Sequence, residues 1–361
     1  MKLGSLFDGS GGFPLAATHC GIEPVWASEV EPYPIAVTRA HFPGMIHLGD
    51  VATISGSRIE PVDVITFGSP CQDLSVCSST QLGFNGERSS LFFEAIRIIK
   101  EMRDATKGEK PRFAVWENVL GALSSNGGGD FERVLSSFLA IHSERSVDRF
   151  DEVWRRAGAI VDGRRFSLAW RVLNSQFWGT LQRRRRVFLA VDFGGSRAVN
   201  LFKSLRSSVR IEADEEATAN DSGVDSSGFE TSEFYTTSHA NFDRRLEKNI
   251  FGTLTKSDRR TPQNLYRKGF NPRKVTPGEY GNLQGFPRNW GKIGAIDDEE
   301  FPFWRNVWSE YSRVFKTKER SDANVRRWMK SPYSAAREYE MWGNGLALPC
   351  AEFALQAITY D

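Results

Sequence analysis

The chain has 361 residues, room for one large domain and a smaller one, and its 40% hydrophobic and 25% charged residues are the balance of a soluble globular protein. A formal charge of +2 neither announces nor excludes a nucleic-acid partner, so where the charges sit matters more than their sum. No apolar run is long enough to span a bilayer, and the amino terminus lacks a signal-peptide pattern. Cys20, Cys71, Cys77 and Cys350 form no Cys-x-x-Cys pair, so neither a metal site nor a disulfide framework is expected, and a reducing, cytoplasmic setting is.

The first half alternates strand-like and helix-like segments. Residues 3–7 read as a strand, Gly9-Ser10-Gly11-Gly12 as a turn and 13–20 as a helix. A strand over 25–29, a helix over 34–41 and a short strand over 45–48 follow, the last ending at Gly49-Asp50. The apolar run 62–67 reads as a buried strand, stopped abruptly by Gly68-Ser69-Pro70, which places Cys71 in a turn. Leu91, Ala95, Ile98, Ile99 and Met102 fall at helical spacing. Strands over 113–116, 166–173 and 187–193 complete the set, and the alternation predicts a parallel, helix-covered sheet.

The pattern breaks near Gly194. Residues 204–233 are rich in Ser, Asp, Glu and Ala, as a linker or irregular insert would be. Over 241–274 the sign reverses, with about ten Lys or Arg against three acids and interleaved aromatic residues, a surface suited to a phosphate backbone or simply a basic face. Phe301, Trp304, Trp308, Tyr311 and Phe315 recur at spacings of three and four, with Pro302 placed for a first helical turn. The spacing predicts an amphipathic helix whose aromatic face is core rather than a stacking platform for bases. An apolar helix over 346–358 closes the chain.

Three stretches carry chemistry. In an open α/β sheet, ligands bind just beyond the carboxyl ends of the strands. A cysteine there, as Cys71 is, can be a nucleophile, although a small buried residue filling a gap is the commoner fate of a free cysteine. The glycine-rich turn from Asp8 to Gly12, with Glu29 ending the second strand and Asp50 the third, favours an adenosine-containing cofactor. It lacks the Gly-Lys-Ser/Thr of an ATP-type phosphate loop. In the run Arg183 to Arg186, strand alternation puts Arg184 and Arg186 on one face.

Leu6-Phe7-Asp8-Gly9-Ser10-Gly11-Gly12-Phe13, Gly68-Ser69-Pro70-Cys71-Gln72, Glu117-Asn118-Val119, Gln182-Arg183-Arg184-Arg185-Arg186, Thr276-Pro277-Gly278-Glu279, Leu283-Gln284-Gly285-Phe286-Pro287 and Gly343-Asn344 resemble, in residue type and order, the DNA cytosine-5 methyltransferases. The resemblance touches both ends of the chain and most of what lies between. It implies a Rossmann-like, S-adenosylmethionine-dependent methyltransferase sheet, built from 1–193 plus 335–361, and a smaller target-recognition domain over 194–334 that reads double-stranded DNA, in a protein expected to act as a monomer. It implies Cys71 as the thiolate that adds to carbon 6 of a flipped cytosine, Glu117 as the carboxyl at ring nitrogen 3, and Arg184 and Arg186 as their partners. Phe7, Asp8, Gly9, Gly11, Gly12, Glu29, Val30, Asp50, Val51, Pro70, Leu91, Asn344 and Gly345 would line the cofactor site. Gln72, Ser75, Asn118 and Thr253 would meet the substrate, and 75–88 would form a lid.

The chain departs from the family pattern at Leu181, where proline is usual, at Gly345, where serine is usual, and over 293–338, which is longer than in compact members. A zinc nucleobase deaminase is rejected, because position 74 is Leu and no His-x-Glu occurs. An RNA cytosine-5 methyltransferase on the same scaffold stays open as the alternative, and a catalytically silent DNA-binding module is disfavoured by the full set of reactive residues.

Overall fold

The computed structural model describes residues 1–69, 91–143, 154–202, 251 and 273–359, and the backbone of 234–237, 246–248 and 264–267. A large sheet has the order β3-β2-β1-β4-β5-β8-β7-β6, formed by β1 (Lys2–Leu6), β2 (Glu23–Ser28), β3 (Ile46–His47), β4 (Val64–Phe67), β5 (Phe113–Val119), β6 (Ala157–Asp162), β7 (Phe166–Asn174) and β8 (Arg185–Asp192). The expected parallel arrangement holds for β1 to β5. It fails for the other three, where β8 runs antiparallel to β5, β7 to β8 and β6 to β7. The reason is the connections. A three-residue turn opening on Gly163, at φ 57°, joins β6 to β7, and a short link joins β7 to β8, so no crossover helix separates these strands.

Strand alternation sorts the apolar residues into two cores. Leu3, Val64, Phe113, Val115, Phe188 and Ala190 face one side, where α1 (Gly12–His19) and the carboxyl-terminal α9 (Leu348–Thr359) cover the sheet. Leu6, Ile65, Phe67, Ala114, Trp116, Leu189 and Val191 face the other, under α3 (Leu91–Ala105) and α4 (Gly129–His142). Neither α4 nor β6 was expected from the sequence. The Gly127-Gly128-Gly129 run that leads into α4 reads as loop, and β6 is an edge strand whose side chains are largely exposed.

Gly4 lets Trp26 lie flat on β1, since a Cβ there would fall about 2.1 Å from the buried indole. Gly4→Ala should therefore cost roughly 1–3 kcal/mol of stability by overpacking, read as a lower urea midpoint at unchanged slope.

The carboxyl-terminal third returns to this body. Its helices are α5 (Pro277–Leu283), α6 (Phe301–Val314), α7 (Asp322–Lys330) and α8 (Ala335–Asn344), before α9. Thr276 and Glu279 form a capping box at the start of α5, and Tyr280, Leu283, Phe286, Trp290 and Trp342 join the first core. The aromatic face of α6 is core as expected. Trp304, Val307 and Trp308 pack with Val325 and Met329 of α7 against Ile35 and Ala36 of α2 (Pro32–His41). Residues 275–330, placed with the smaller domain by sequence, thus pack on the large one, because their apolar faces find their partners there. The remaining described strands, β9 (Phe234–Thr237), β10 (Leu246–Lys248), β11 (Asn264–Arg267) and β12 (Arg273–Lys274), form a separate antiparallel sheet in the order β10-β9-β11-β12. Phe251 fastens that region to the body, exchanging backbone hydrogen bonds with Leu181 and Arg183 and burying its ring in the first core.

Candidate active site

The sheet register puts the chemistry on one line. Leu6 pairs with Ser28 and with Phe67, and Phe67 pairs with Trp116. The next residue along each of these four strands is Phe7, Glu29, Gly68 and Glu117. Four sequence-predicted features therefore leave the carboxyl edge of the sheet at the same level, where an open α/β sheet holds its ligand.

Glu29 fastens the glycine-rich turn. One carboxylate oxygen accepts from the Gly9 N–H at 2.9 Å, and the other from the N–H groups of Val30 and Glu31 at 2.7 and 2.9 Å. Three accepted bonds leave a carboxylate room for about one more donor, such as a ribose hydroxyl. The glycines divide by role. A Cβ at Gly11 would strike Thr38 and one at Gly12 would strike Leu346, so both are packing glycines. At Gly9, with φ 55°, the nearest atom would be the Phe7 carbonyl oxygen at 3.9 Å, so this turn is open on its outer side. Phe7 (itself at φ 55°), Leu48 and Leu91 are partly buried against the second core.

Asp8 lies under the turn, taking a hydrogen bond from Ser5 Oγ at 2.6 Å, while its other oxygen is buried without a partner among the described residues. Burial pushes its pKa up to about 8, with nearby Glu29 adding to the rise and Ser5 opposing it. The native state thus keeps a proton that the unfolded chain loses near pH 4. This contribution to stability is full below the unfolded pKa and is lost as the pH rises through about 8. Apoprotein stability should fall by on the order of 4 kcal/mol between about pH 5 and pH 8, and Asp8→Asn should flatten that slope in urea titrations at each pH.

Asp50 closes the other end of the cleft. It caps a short turn that begins at the buried Val51, accepting from the Ala52 N–H at 3.0 Å. Ser28 Oγ donates to the Gly49 carbonyl at 2.6 Å, which ties this turn to β2. The carboxyl-terminal segment reaches the glycine-rich turn from the opposite side. Trp290 Nε1 donates to the Ser10 carbonyl at 2.8 Å, and Leu346 packs on Gly12. Asn344 ends α8 with its side chain exposed. At Gly345 a Cβ would lie 3.1 Å from Gln284 Oε1 and 3.4 Å from Ser10 Oγ, so the space for a side chain at this departure is small.

Glu117 stands on β5, nearly buried, with Arg186 Nε 3.1 Å from its Oε1. Val119 pairs with Arg186, so the two charges are diagonal neighbours on one sheet face. The contact is an ion pair without hydrogen-bond alignment, and Oε1 keeps no hydrogen-bond partner among the described residues. Burial raises the Glu117 pKa, against the pull of Arg186 and Arg184. Arg184, expected beside Arg186, is also buried, but its guanidinium donates to the Gly345 carbonyl, so it braces the returning segment against β8. Burial, then Arg186, lowers its pKa to about 9.

Gly68 leaves room for Glu117, since a Cβ there would sit 3.2 Å from Oε2. Trp116 Nε1 donates to Ser69 Oγ at 3.2 Å and Asn118 Nδ2 to the Ser69 carbonyl at 3.1 Å, so β5 holds the turn that leads toward position 71. Asn118, assigned by sequence to substrate contact, uses its side chain on that turn and on the Val119 N–H. Ser69 and Trp116 were missed as positioning residues, because their hydrogen bonds join separate strands and leave no local pattern. Gln182 is fully buried, and neither side-chain amide atom has a partner among the described residues. Pro70, Cys71, Gln72, Ser75, Thr253 and the lid expected over 75–88 lie outside the described residues. No group of His, Cys, Asp and Glu among the described residues could hold a metal ion, and no described helix is long and apolar enough to cross a membrane.

Comparison with known proteins gives the following. The family model described as "C-5 cytosine-specific DNA methylase" matches residues 1–199. The type II methyltransferase M.HhaI of Haemophilus parahaemolyticus is 30% identical over 189 residues, covering 52% of this chain and 48% of that protein. A protein of Escherichia phage P1 named as a DNA N-6-adenine-methyltransferase is 31% identical over 213 residues, covering 52% of this chain and 28% of that one. The chain thus spans about half, or less, of the length of these curated relatives. In overall fold it is similar to the Dnmt2 methyltransferase of S. pombe, with a TM-score of 0.55 at 13% identity over 99% of this chain and 98% of that one.

Proposed function

Given that the chain belongs to the C-5 cytosine-specific DNA methylase family, we propose that it transfers a methyl group from S-adenosylmethionine to carbon 5 of a cytosine flipped out of duplex DNA. The observation that carries this reading is the nearly buried Glu117–Arg186 pair, its Glu117 carboxyl against the Gly68-Ser69 turn that runs into Cys71.

Cytosine carbon 5 is a poor nucleophile. The Cys71 thiolate forms a bond to carbon 6 and moves an electron pair into the ring, so that carbon 5 carries carbanion character. Glu117, protonated more readily than an ordinary carboxyl because it is buried, donates to ring nitrogen 3, accepts from the exocyclic amine and so selects cytosine. Arg186 holds the Glu117 carboxyl and faces the pyrimidine oxygen. S-adenosylmethionine, when bound, supplies the electrophilic methyl group. Loss of the carbon 5 proton to a base then expels the thiolate and restores the aromatic ring.

The cofactor fits the opposite half of the line. Gly9 presents an open backbone turn, Glu29 keeps one acceptor site, Asp50 and Val51 close the far end, and Phe7 and Leu91 give apolar walls. The unit built on β9 to β12, with the basic segment around it, is the proposed reader of the DNA, its positive charges for phosphates and its side chains for base edges. Incubation with labelled S-adenosylmethionine and matched duplex DNA, single-stranded DNA and structured RNA tests the proposal. Label at carbon 5 of cytosine in the duplex supports it, label confined to RNA makes the enzyme an RNA methyltransferase, and label on an exocyclic nitrogen overturns the mechanism.

A further inference from the structure

The lengthened segment 293–338 does more than bury aromatic residues. Its helix α6 lays two charged side chains on the turn at the end of β3. Arg313 Nη2 donates to Asp50 Oδ2 at 2.8 Å, and Glu310 Oε1 accepts from the Asp50 backbone N–H at 3.0 Å. Arg313 and Glu310 are themselves 3.6 Å apart. The helix side chain packs closely on the turn, so that a side chain at position 49 would have to push the Glu310 carboxylate aside. Gly49 stands at φ 72°, and a Cβ there would overlap Glu310 Oε2. The same helix is anchored through Trp304, Val307 and Trp308 on α2, which begins at Pro32, three residues after Glu29. One helix thus bears on both acids at the carboxyl edge, on Asp50 by direct contact and on Glu29 through α2.

From this geometry we infer that Glu310 and Arg313 are positioning residues for the adenosine end of the cofactor, setting the orientation of the Asp50 carboxylate and the 49–51 backbone. The inference rests on the cofactor site proposed above. Glu310 fixes the Asp50 N–H, Ser28 fixes the Gly49 carbonyl, and Arg313 fixes the carboxylate rotamer, so the turn is held at three points. The carboxylate remains able to accept a further hydrogen bond, because Arg313 and the Ala52 N–H occupy only part of its acceptor sites. The ion pair borders a cleft of about 430 Å³ lined by His47, Gly49, Phe303, Glu310 and Arg313, and the Arg313 side chain is more than half exposed. Its loss should therefore act on orientation rather than on folding.

The test is calorimetric binding of S-adenosylhomocysteine to the full chain without DNA, with thermal unfolding of each apoprotein in parallel. Arg313→Met is expected to weaken binding by about 5- to 10-fold and Glu310→Gln by about 3-fold, with melting temperatures within about 2 °C of wild type. Arg313→Lys should recover part of the loss. Asp50→Ala with Arg313→Met should bind no more weakly than Asp50→Ala alone, within about twofold, because Arg313 acts through Asp50. Wild-type affinity in Arg313→Met and Glu310→Gln, or multiplicative losses in the double variant, overturns the inference. Glu29→Ala and Asp50→Ala serve as the control for the site itself. If they too bind as wild type, the cofactor site is misplaced and the inference falls with it. If only they lose binding, the site stands and the positioning role does not.

Discussion

Cys71→Ser should reduce methyl transfer by at least about 10³-fold and leave S-adenosylhomocysteine affinity within about twofold of wild type. A hydroxyl at this position is a far weaker nucleophile than a thiolate, because its proton is not given up near neutral pH without a strong base. The structure explains why the two functions separate. The glycine-rich turn, Glu29 and Asp50 are held by β1, β2 and α6, and none of their hydrogen bonds described above passes through the turn after β4. That turn is fixed by Trp116 and Asn118 of β5 instead. Single-turnover methylation and calorimetry on the same preparation read both quantities, and equal losses in the two would show that the variant damages the fold rather than the nucleophile.

Glu117→Gln should lower methyl transfer by about 10²- to 10⁴-fold, the usual contribution of a positioned acid. Glutamine keeps the size, a donor for nitrogen 3 and an acceptor for the exocyclic amine, but it has no acidic proton to give to nitrogen 3 as charge develops in the ring. The pH dependence carries the sign. Burial raises the Glu117 pKa, so the protonated carboxyl persists to higher pH than an ordinary glutamate would allow, and Arg186 works against this. Arg186→Met should therefore move the alkaline limb of a Glu117-dependent rate profile upward in pH while lowering the rate itself. A downward shift would mean that the limb belongs to another group. In wild type the pair is close and nearly buried, and a neutral replacement of either partner leaves the other charge poorly solvated.

Much of this line was legible in the sequence because it is local. Most strands announce themselves by a short apolar run, and the site residues stand at or within two positions of its end, as Phe67-Gly68 and Trp116-Glu117 show. Glu29 was legible for the same reason, but its part in fastening Gly9 was not, since that hydrogen bond spans two strands. The direction of β7 and β8 was misread because alternating helices and strands fit the first five strands, and nothing in the strand residues themselves encodes parallel or antiparallel pairing. The bond from Arg184 to the Gly345 carbonyl was hidden likewise, since alternation predicts a shared face with Arg186 but not a carbonyl brought from 161 residues away. The placement of 275–330 was missed because an amphipathic aromatic helix looks the same on either body. Only the apolar surface left on α2 by Ile35 and Ala36 decides where α6 docks.

The central claim is a covalent bond from Cys71 to carbon 6 of a flipped cytosine. It is tested most directly with duplex DNA in which target cytosines are replaced by 5-fluorocytosine, where the fluorine blocks loss of the carbon 5 substituent and traps the adduct. With S-adenosylmethionine present, the account predicts a complex that survives denaturation, with a peptide containing Cys71 carrying the methylated base by mass spectrometry, and no such complex for Cys71→Ser. Methylation of ordinary duplex at carbon 5 without any trapped complex, or an adduct that persists in Cys71→Ser, would contradict it.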